Sequence, residues 1–114
     1  VDVPHLCDFY VPSVIHRGPL TVAISSGGCS PAFSRNFRRH LDQHIHPTLG
    51  QYMELLAAAR AEVKLRLPDD EKRRMKLNSD LVECGADRLV EAGDIEAARS
   101  ALWRLIDGEA TRND

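Results

Sequence analysis

The densest run of chemistry in this sequence is residues 20–41, LTVAISSGGCSPAFSRNFRRHL. Ser25-Ser26-Gly27-Gly28 follow a short apolar stretch, and Ser30-Pro31 open the next segment. Glycines let a backbone turn sharply and approach a ligand closely. A serine followed by proline reads as a helix N-cap with proline at the first helical position. Free N–H groups at such a helix start favour an anion. Arg35, Arg38 and Arg39 come within the next turns and can grip a carboxylate or phosphate. Ser25, Ser26, Gly27, Gly28, Ser30, Arg35, Arg38 and Arg39 are therefore the candidate binding residues. On spacing alone, a structural strand-to-helix turn with a solvated basic face is the stronger reading. The segment has neither the Lys-Ser/Thr of a P-loop nor a G-x-G-x-x-G pattern.

Other reactive side chains are less organised. His40 and His44 stand one helical turn apart, with His46 nearby. Such a pair can hold a metal, but no third ligand follows, so these histidines read as surface or interface residues and no metal site is assigned. His5 and His16 fall in the region before the glycine turn, and nothing distinguishes one from the other. The cysteines, Cys7, Cys29 and Cys84, are odd in number and match no zinc spacing. A reducing cytoplasm is the simplest setting for them, and Cys29 reads as a small filler of the turn.

The elements that must position this segment can be read from pattern. Val1–Val3 reads as a strand end stopped by Pro4. Phe9–Ile15 is apolar with Pro12 inside it, which suits an edge or bulged strand. Arg17-Gly18-Pro19 is turn chemistry, and Leu20–Ser25 reads as a second strand. A lone two-stranded ribbon is marginal in water, so it must pair with another subunit or with a further sheet. A helix is expected over residues 31–44, with Phe33, Phe37, Leu41 and Ile45 as its buried stripe. A second helix is expected from Pro47 to about Leu67, with Leu49, Tyr52, Met53, Leu56, Ala59 and Val63 on its apolar face. Pro68 stops it, and Asp69-Asp70-Glu71 suit the start of a third. Gly85 interrupts that helix, a short one carries Leu89 and Val90 to Gly93, and Asp94 caps a last helix ending at Gly108. Ile95, Ala98, Leu102, Leu105 and Ile106 are its inward residues, and the tail from Glu109 frays. The expected class is α+β: a short antiparallel ribbon plus helix, followed by a small all-α bundle.

The bulk numbers fit that layout. With 114 residues, 43% hydrophobic and 28% charged, the chain should fold and is neither a disordered tail nor a membrane protein. The longest uncharged run, residues 18–34, is broken by Ser, Gly and Pro and cannot span a bilayer. No signal peptide is apparent. A net charge of −2 argues against general nucleic-acid binding. Up to His46 there are four arginines against three aspartates, and three of those arginines lie within five positions. That local cationic face suits a small anion more than a duplex. The chain begins on Val1 and opens directly into apolar residues, as a piece of something longer would.

The ordered run Phe9-Tyr10-Val11-Pro12-Ser13-Val14-Ile15, Arg17 through Gly28, and Ser30-Pro31-Ala32 resembles the precorrin-2 dehydrogenase / sirohydrochlorin ferrochelatase family, the front module of siroheme synthase. Val1-Asp2 resembles the end of a strand in that family. Leu49-Gly50, Leu55, Arg60–Leu67 and Glu71-Lys72-Arg73-Arg74 look like its helical domain. The resemblance implies an enzyme that oxidises precorrin-2 to sirohydrochlorin with NAD, many members then inserting ferrous iron. It implies a homodimer whose active site lies near the junction of the nucleotide domain and the partner's ribbon and helix. It implies a catalytic role for Asp2, as general base. Alone, Asp2 reads as a strand-end cap. The substrate's acetate and propionate arms would suit the Gly27-Gly28 turn and the arginines after it. No dinucleotide turn occurs in the sequence, so the resemblance implies that an NAD-binding domain of roughly a hundred residues would precede Val1. On that reading residues 1–11 end the nucleotide domain, 12–46 form the dimerisation and tetrapyrrole segment, 47–108 the bundle and 109–114 a tail. The piece by itself would be inactive. The rival reading is a non-catalytic dimerisation or ligand-binding module derived from the same family.

Overall fold

The structure, a computed structural model, describes residues 12–110. Asp2, His5, Cys7 and the Phe9–Val11 stretch lie outside them. The chain divides into two compact units, Val1–Pro47 and Thr48–Asp114.

In the first unit, β1 (Ser13–Arg17) and β2 (Leu20–Ile24) pair antiparallel around a Gly18-Pro19 turn. Gly18 sits at φ 57, in the left-handed region that glycine enters without steric cost. β1 begins after Pro12 instead of running through it, because proline has no N–H to give to a ladder. Ile15 lies opposite Val22 and Arg17 opposite Leu20, so these residues share one face of the ribbon with Ile24. Ile15 is buried, while Leu20, Val22 and Ile24 are half-buried.

The helix α1 (Pro31–Asp42) packs against β1 and, less extensively, β2. Its inward stripe is the expected one only at Leu41 and Ile45. Phe33 and Phe37 are 57% and 40% exposed, whereas Ser34 is 4% exposed. The buried side is instead Ser34 with half-buried Arg38, Leu41 and Ile45, one residue out of phase with the phenylalanines. A side chain as small as serine lets a helix backbone approach its neighbour more closely than phenylalanine would. The displaced phenylalanines stack on each other in the open, with centroids 5.5 Å apart and rings 13° from parallel.

One side chain ties ribbon to helix. Arg17, at the end of β1, donates from Nη2 to Asp42 Oδ1 at 2.8 Å, to Asp42 O at 3.0 Å and to Ile45 O at 3.0 Å. Its Nε also reaches Ile45 O at 3.2 Å. The last carbonyls of a helix have no intrahelical partner and carry the negative end of its dipole. Arg17 takes up one of them, Asp42 O, together with the carbonyl of Ile45 in the turn beyond, using its planar fork of donors, and its side chain is only 17% exposed.

The second unit is a bundle of α2 (Leu49–Arg66), α3 (Glu71–Glu83), α4 (Ala86–Glu91) and α5 (Ile95–Ala110). Asp70 caps α3 by accepting from Arg73 N at 3.1 Å, and Asp94 accepts from Ala97 N at 3.0 Å at the start of α5. Gly85 and Gly93, at φ 89 and 87, make the bends on either side of α4. Arg74 Nη1 donates to the carbonyls of Leu67 and Pro68, at 2.6 and 2.8 Å, closing the end of α2. The core gathers Leu55, Ala59 and Val63 of α2, Leu77 and Leu81 of α3, Ala86 and Val90 of α4, and Ala98, Leu102 and Ile106 of α5. Leu55 was not among the expected core residues; Met53 and Leu56, which were, are only partly buried. Ile95 is 37% exposed. α5 runs past Gly108 to Ala110, and Glu109 is held by Arg73 at 3.0 Å, so the frayed tail does not begin at Glu109. Among the described residues no helix is long and apolar enough to cross a membrane.

Two outcomes follow. Replacing Arg17 by Ala should destabilise the first unit by about 2 kcal/mol, the order expected for losing charge-assisted bonds to partly buried acceptors. Amide exchange across β1, β2 and α1 would show it, and Arg17→Lys should restore no more than half, lacking the fork. The second outcome concerns the buried hydroxyl of Tyr52, which has no hydrogen-bond partner among the described residues. Burial, then the nearby Asp87 and Cys84, push its pKa above the usual phenol value. The fold thus favours the neutral phenol, and its stabilisation is complete below the usual phenol pKa and lost as pH rises through the raised one. Tyr52→Phe should stabilise the bundle by about 1 kcal/mol at neutral pH, since it removes an unpaired buried polar group. Denaturation midpoints should also lose their alkaline decline in that variant.

Candidate functional site

The turn between β2 and α1 brings Ser25, Ser26, Gly27, Gly28 and Ser30 together as the sequence suggested, at the N-terminus of α1. Gly27 and Gly28 take φ 67 and 86, and a Cβ on Gly27 would meet no atom within 4 Å. The glycines are thus required by backbone conformation, and the space beside Gly27 is open.

The amides of this turn are largely committed to its own serines. Gly27 N donates to Ser25 Oγ at 3.1 Å, Ser30 N to Ser26 Oγ at 2.9 Å, and Phe33 N to Ser30 Oγ at 3.1 Å. Cys29 N donates to Ser26 O at 3.2 Å, and Ser34 N to Ser30 O at 3.2 Å. Pro31 has no N–H. The expected row of free donors is therefore reduced to isolated positions, because each serine hydroxyl already does what an anion's oxygen would do. An incoming anion can displace a hydroxyl, but the fixed positive charge must come from the arginines.

Arg35 and Arg39 are exposed, and Arg38 is half-buried on the stripe that begins at Ser30 and Ser34. None of the three has a hydrogen bond or ion pair with another described residue. Arg38 lies eight residues after Ser30, about 12 Å along the helix axis. Arg35 and Arg39 share a neighbouring face one turn apart. Turn and arginines thus form a linear series of anion-seeking groups along one helix, suited to a ligand with several acidic groups spread around its body.

Arg17 went unrecognised as a positioning residue. Its signal was an arginine at a strand end immediately before a Gly-Pro turn. Cys29 is exposed instead of filling the turn. His16 Nδ1 lies 3.3 Å from Thr21 Oγ1 across the ribbon. His40 and His44 are exposed, and among the described residues no three His, Cys, Asp or Glu side chains gather as metal ligands. Asp2 lies outside the described residues. NAD, the oxidant implied by the resemblance, finds no fitting fold among the described residues. The ribbon is antiparallel, with no parallel βαβ unit, and the glycine turn leads its amides into its own serines.

A family model described as "Sirohaem biosynthesis protein central" matches residues 17–44, the stretch from Arg17 through α1. The chain is 37% identical over 107 residues to the siroheme synthase of Thioalkalivibrio sulfidiphilus, covering 94% of this chain and 22% of that protein. It is 43% identical over 108 residues to the siroheme synthase of Pseudomonas fluorescens strain SBW25, covering 95% and 23% respectively. The fold matches a solved structure of SirC, a precorrin-2 dehydrogenase, with TM-score 0.64 at 20% identity, over 86% of this chain and 46% of that one. The chain spans less than a quarter of the length of the siroheme synthases it matches. Its likeness to them runs through nearly all of its own length, ribbon, serine-glycine turn, arginine helix and bundle alike.

Proposed function

We propose that the chain is part of an enzyme that oxidises precorrin-2 to sirohydrochlorin with NAD, with insertion of ferrous iron as an accompanying step. It supplies the wall of the active site that holds the tetrapyrrole. The observation that carries this reading is the set of three arginines without acidic partners among the described residues, ranged along α1 behind a glycine turn. A tetrapyrrole bearing acetate and propionate arms presents carboxylates on all sides of an apolar ring. Arg38 and the Gly27-Gly28 turn receive arms near the ribbon, and Arg35 and Arg39 receive arms on the outer side. Each contact is a charge-assisted hydrogen bond. Fixing several arms orients the ring and lowers the entropy cost of reaction.

The oxidation removes a hydride and a proton from the macrocycle. Asp2 is the group assigned to accept the proton, as a carboxylate general base. Residues 1–11 are assigned to the end of a nucleotide domain, 12–46 to the tetrapyrrole and dimer segment, and the stretch after Pro47 to a helical domain.

The working form is a homodimer. A stacked pair of exposed phenylalanines is an apolar surface of the kind that marks an interface. The two-stranded ribbon also gains from a neighbour. A two-fold axis would bring one α1 face against the same face of a partner.

Two measurements examine this. In the enzyme carrying this segment, Arg38→Ala with Arg39→Ala should weaken sirohydrochlorin binding at least tenfold without altering the circular dichroism, since neither arginine hydrogen-bonds within the described fold. Unchanged affinity would remove the arginines from the site. Phe33→Ser with Phe37→Ser should raise the dimer dissociation constant by about tenfold or more in sedimentation, whereas a monomer at high concentration in the native protein would end the dimer reading.

A further inference from the structure

The bundle contains a second cationic feature, unrelated to the turn. α3 and α5 leave between them a groove of about 470 Å³, within the roughly 300–1,000 Å³ range of small-molecule sites. Leu77 and Leu105 give it apolar lining. Lys72, Arg73 and Lys76 line it from α3 beside one acid, Asp80, and Arg104 lines it from α5 beside another, Glu109, so cations outnumber acids four to two. Arg73 is bonded to Glu109, with Nε 3.0 Å from Oε2 and Nη2 2.8 Å from the carbonyl, a bridge between the two helices. Lys76 makes a loose, exposed contact with Asp80 at 3.2 Å. Lys72 and Arg104 have no hydrogen-bond or ion-pair partner among the described residues.

Two placements run against helix preference. Lys72 sits in the first turn of α3, where the positive end of the helix dipole disfavours a cation. Asp70 and Glu71 at the same helix start offset the dipole, so the attraction for an anion there comes from the Lys72 charge itself. Gly108 lies within α5, one turn after Arg104, and lines the same groove. A helical glycine costs about 1 kcal/mol relative to alanine. Here no backbone reason offsets that cost, because Gly108 is not among the positive-φ glycines. No packing reason offsets it either, since a Cβ would meet nothing within 4 Å. What a side chain at 108 would occupy is the groove.

We propose that this groove binds an organic anion with two acidic groups on an apolar body. Lys72 and Arg104 take one acidic group each, Leu77 and Leu105 take the body, and Gly108 keeps the space clear. The inference rests on the bundle alone and is independent of the tetrapyrrole reading.

The test uses the full 114-residue chain and naphthalene-2,6-dicarboxylate as the probe, followed by amide chemical shifts and calorimetry. Shifts should concentrate at Lys72, Lys76, Leu77, Arg104, Leu105 and Gly108. Gly108→Gln fills the groove while raising helix propensity, so the protein should fold normally and lose at least tenfold in affinity. Lys72→Gln and Arg104→Gln should each lose about tenfold, and naphthalene-2-carboxylate should bind native protein about tenfold more weakly than the diacid. Shifts that fall on α1, or an affinity untouched by Gly108→Gln, would overturn the site. Inorganic phosphate binding there as tightly as the diacid would overturn the role given to the apolar body.

Discussion

Arg17 and the carbonyls it collects from Asp42 and Ile45 are the constraint on which the first unit depends. A hairpin of two five-residue strands has little cohesion of its own, and α1 leaves about half of its phenylalanine surface in solvent. Hydrophobic burial between ribbon and helix is correspondingly thin, with Ile15 as its most enclosed side chain. The guanidinium supplies what burial does not. It fixes the end of β1 to the end of α1, and so fixes the direction in which α1 leaves the glycine turn. Both ends of the helix are then defined: serines hold its N-terminus and an arginine from the ribbon holds its C-terminus.

That arrangement determines where charge can act. With the turn's amides engaged by Ser25, Ser26 and Ser30, the positive potential near the turn resides in side chains further along α1. The phase of α1 sorts those side chains. The stripe through Ser34 leaves Arg38 half-buried, while Arg35 and Arg39 remain in solvent. A ligand reaching from the turn to these arginines must be large and carry several acidic groups, which is the chemistry of the substrate class proposed for the family.

Much of this was legible in the sequence for local reasons. Ser30-Pro31, Asp70, Asp94, Gly85 and Gly93 mark helix ends through chemistry contained within a few residues, and the helices begin or bend where those residues stand. The turn residues came together because they are contiguous. The phase of α1 was not legible, because a four-residue repeat of Phe33, Phe37, Leu41 and Ile45 cannot say that a serine will be preferred at the close contact. A periodic apolar pattern marks a surface to be covered, and within one chain that surface can stay open. The Arg17 clamp was only half legible: an arginine at a strand end before a Gly-Pro turn is a local mark, but its partners lie 25 and 28 positions away. Gly108 misled by analogy, since a glycine late in a helix usually ends it, whereas here the helix continues.

On the proposed function, this chain forms part of a precorrin-2 oxidising site in which Asp2 takes the proton and the turn and arginines hold the ring. The most direct test is anaerobic turnover of precorrin-2 with NAD by the full-length enzyme carrying this segment, native against Asp2→Asn. Sirohydrochlorin is expected from the native enzyme, with a rate lower by about a hundredfold or more in the variant, as befits loss of a general base. No turnover by the native enzyme, or an undiminished rate in Asp2→Asn, would contradict it.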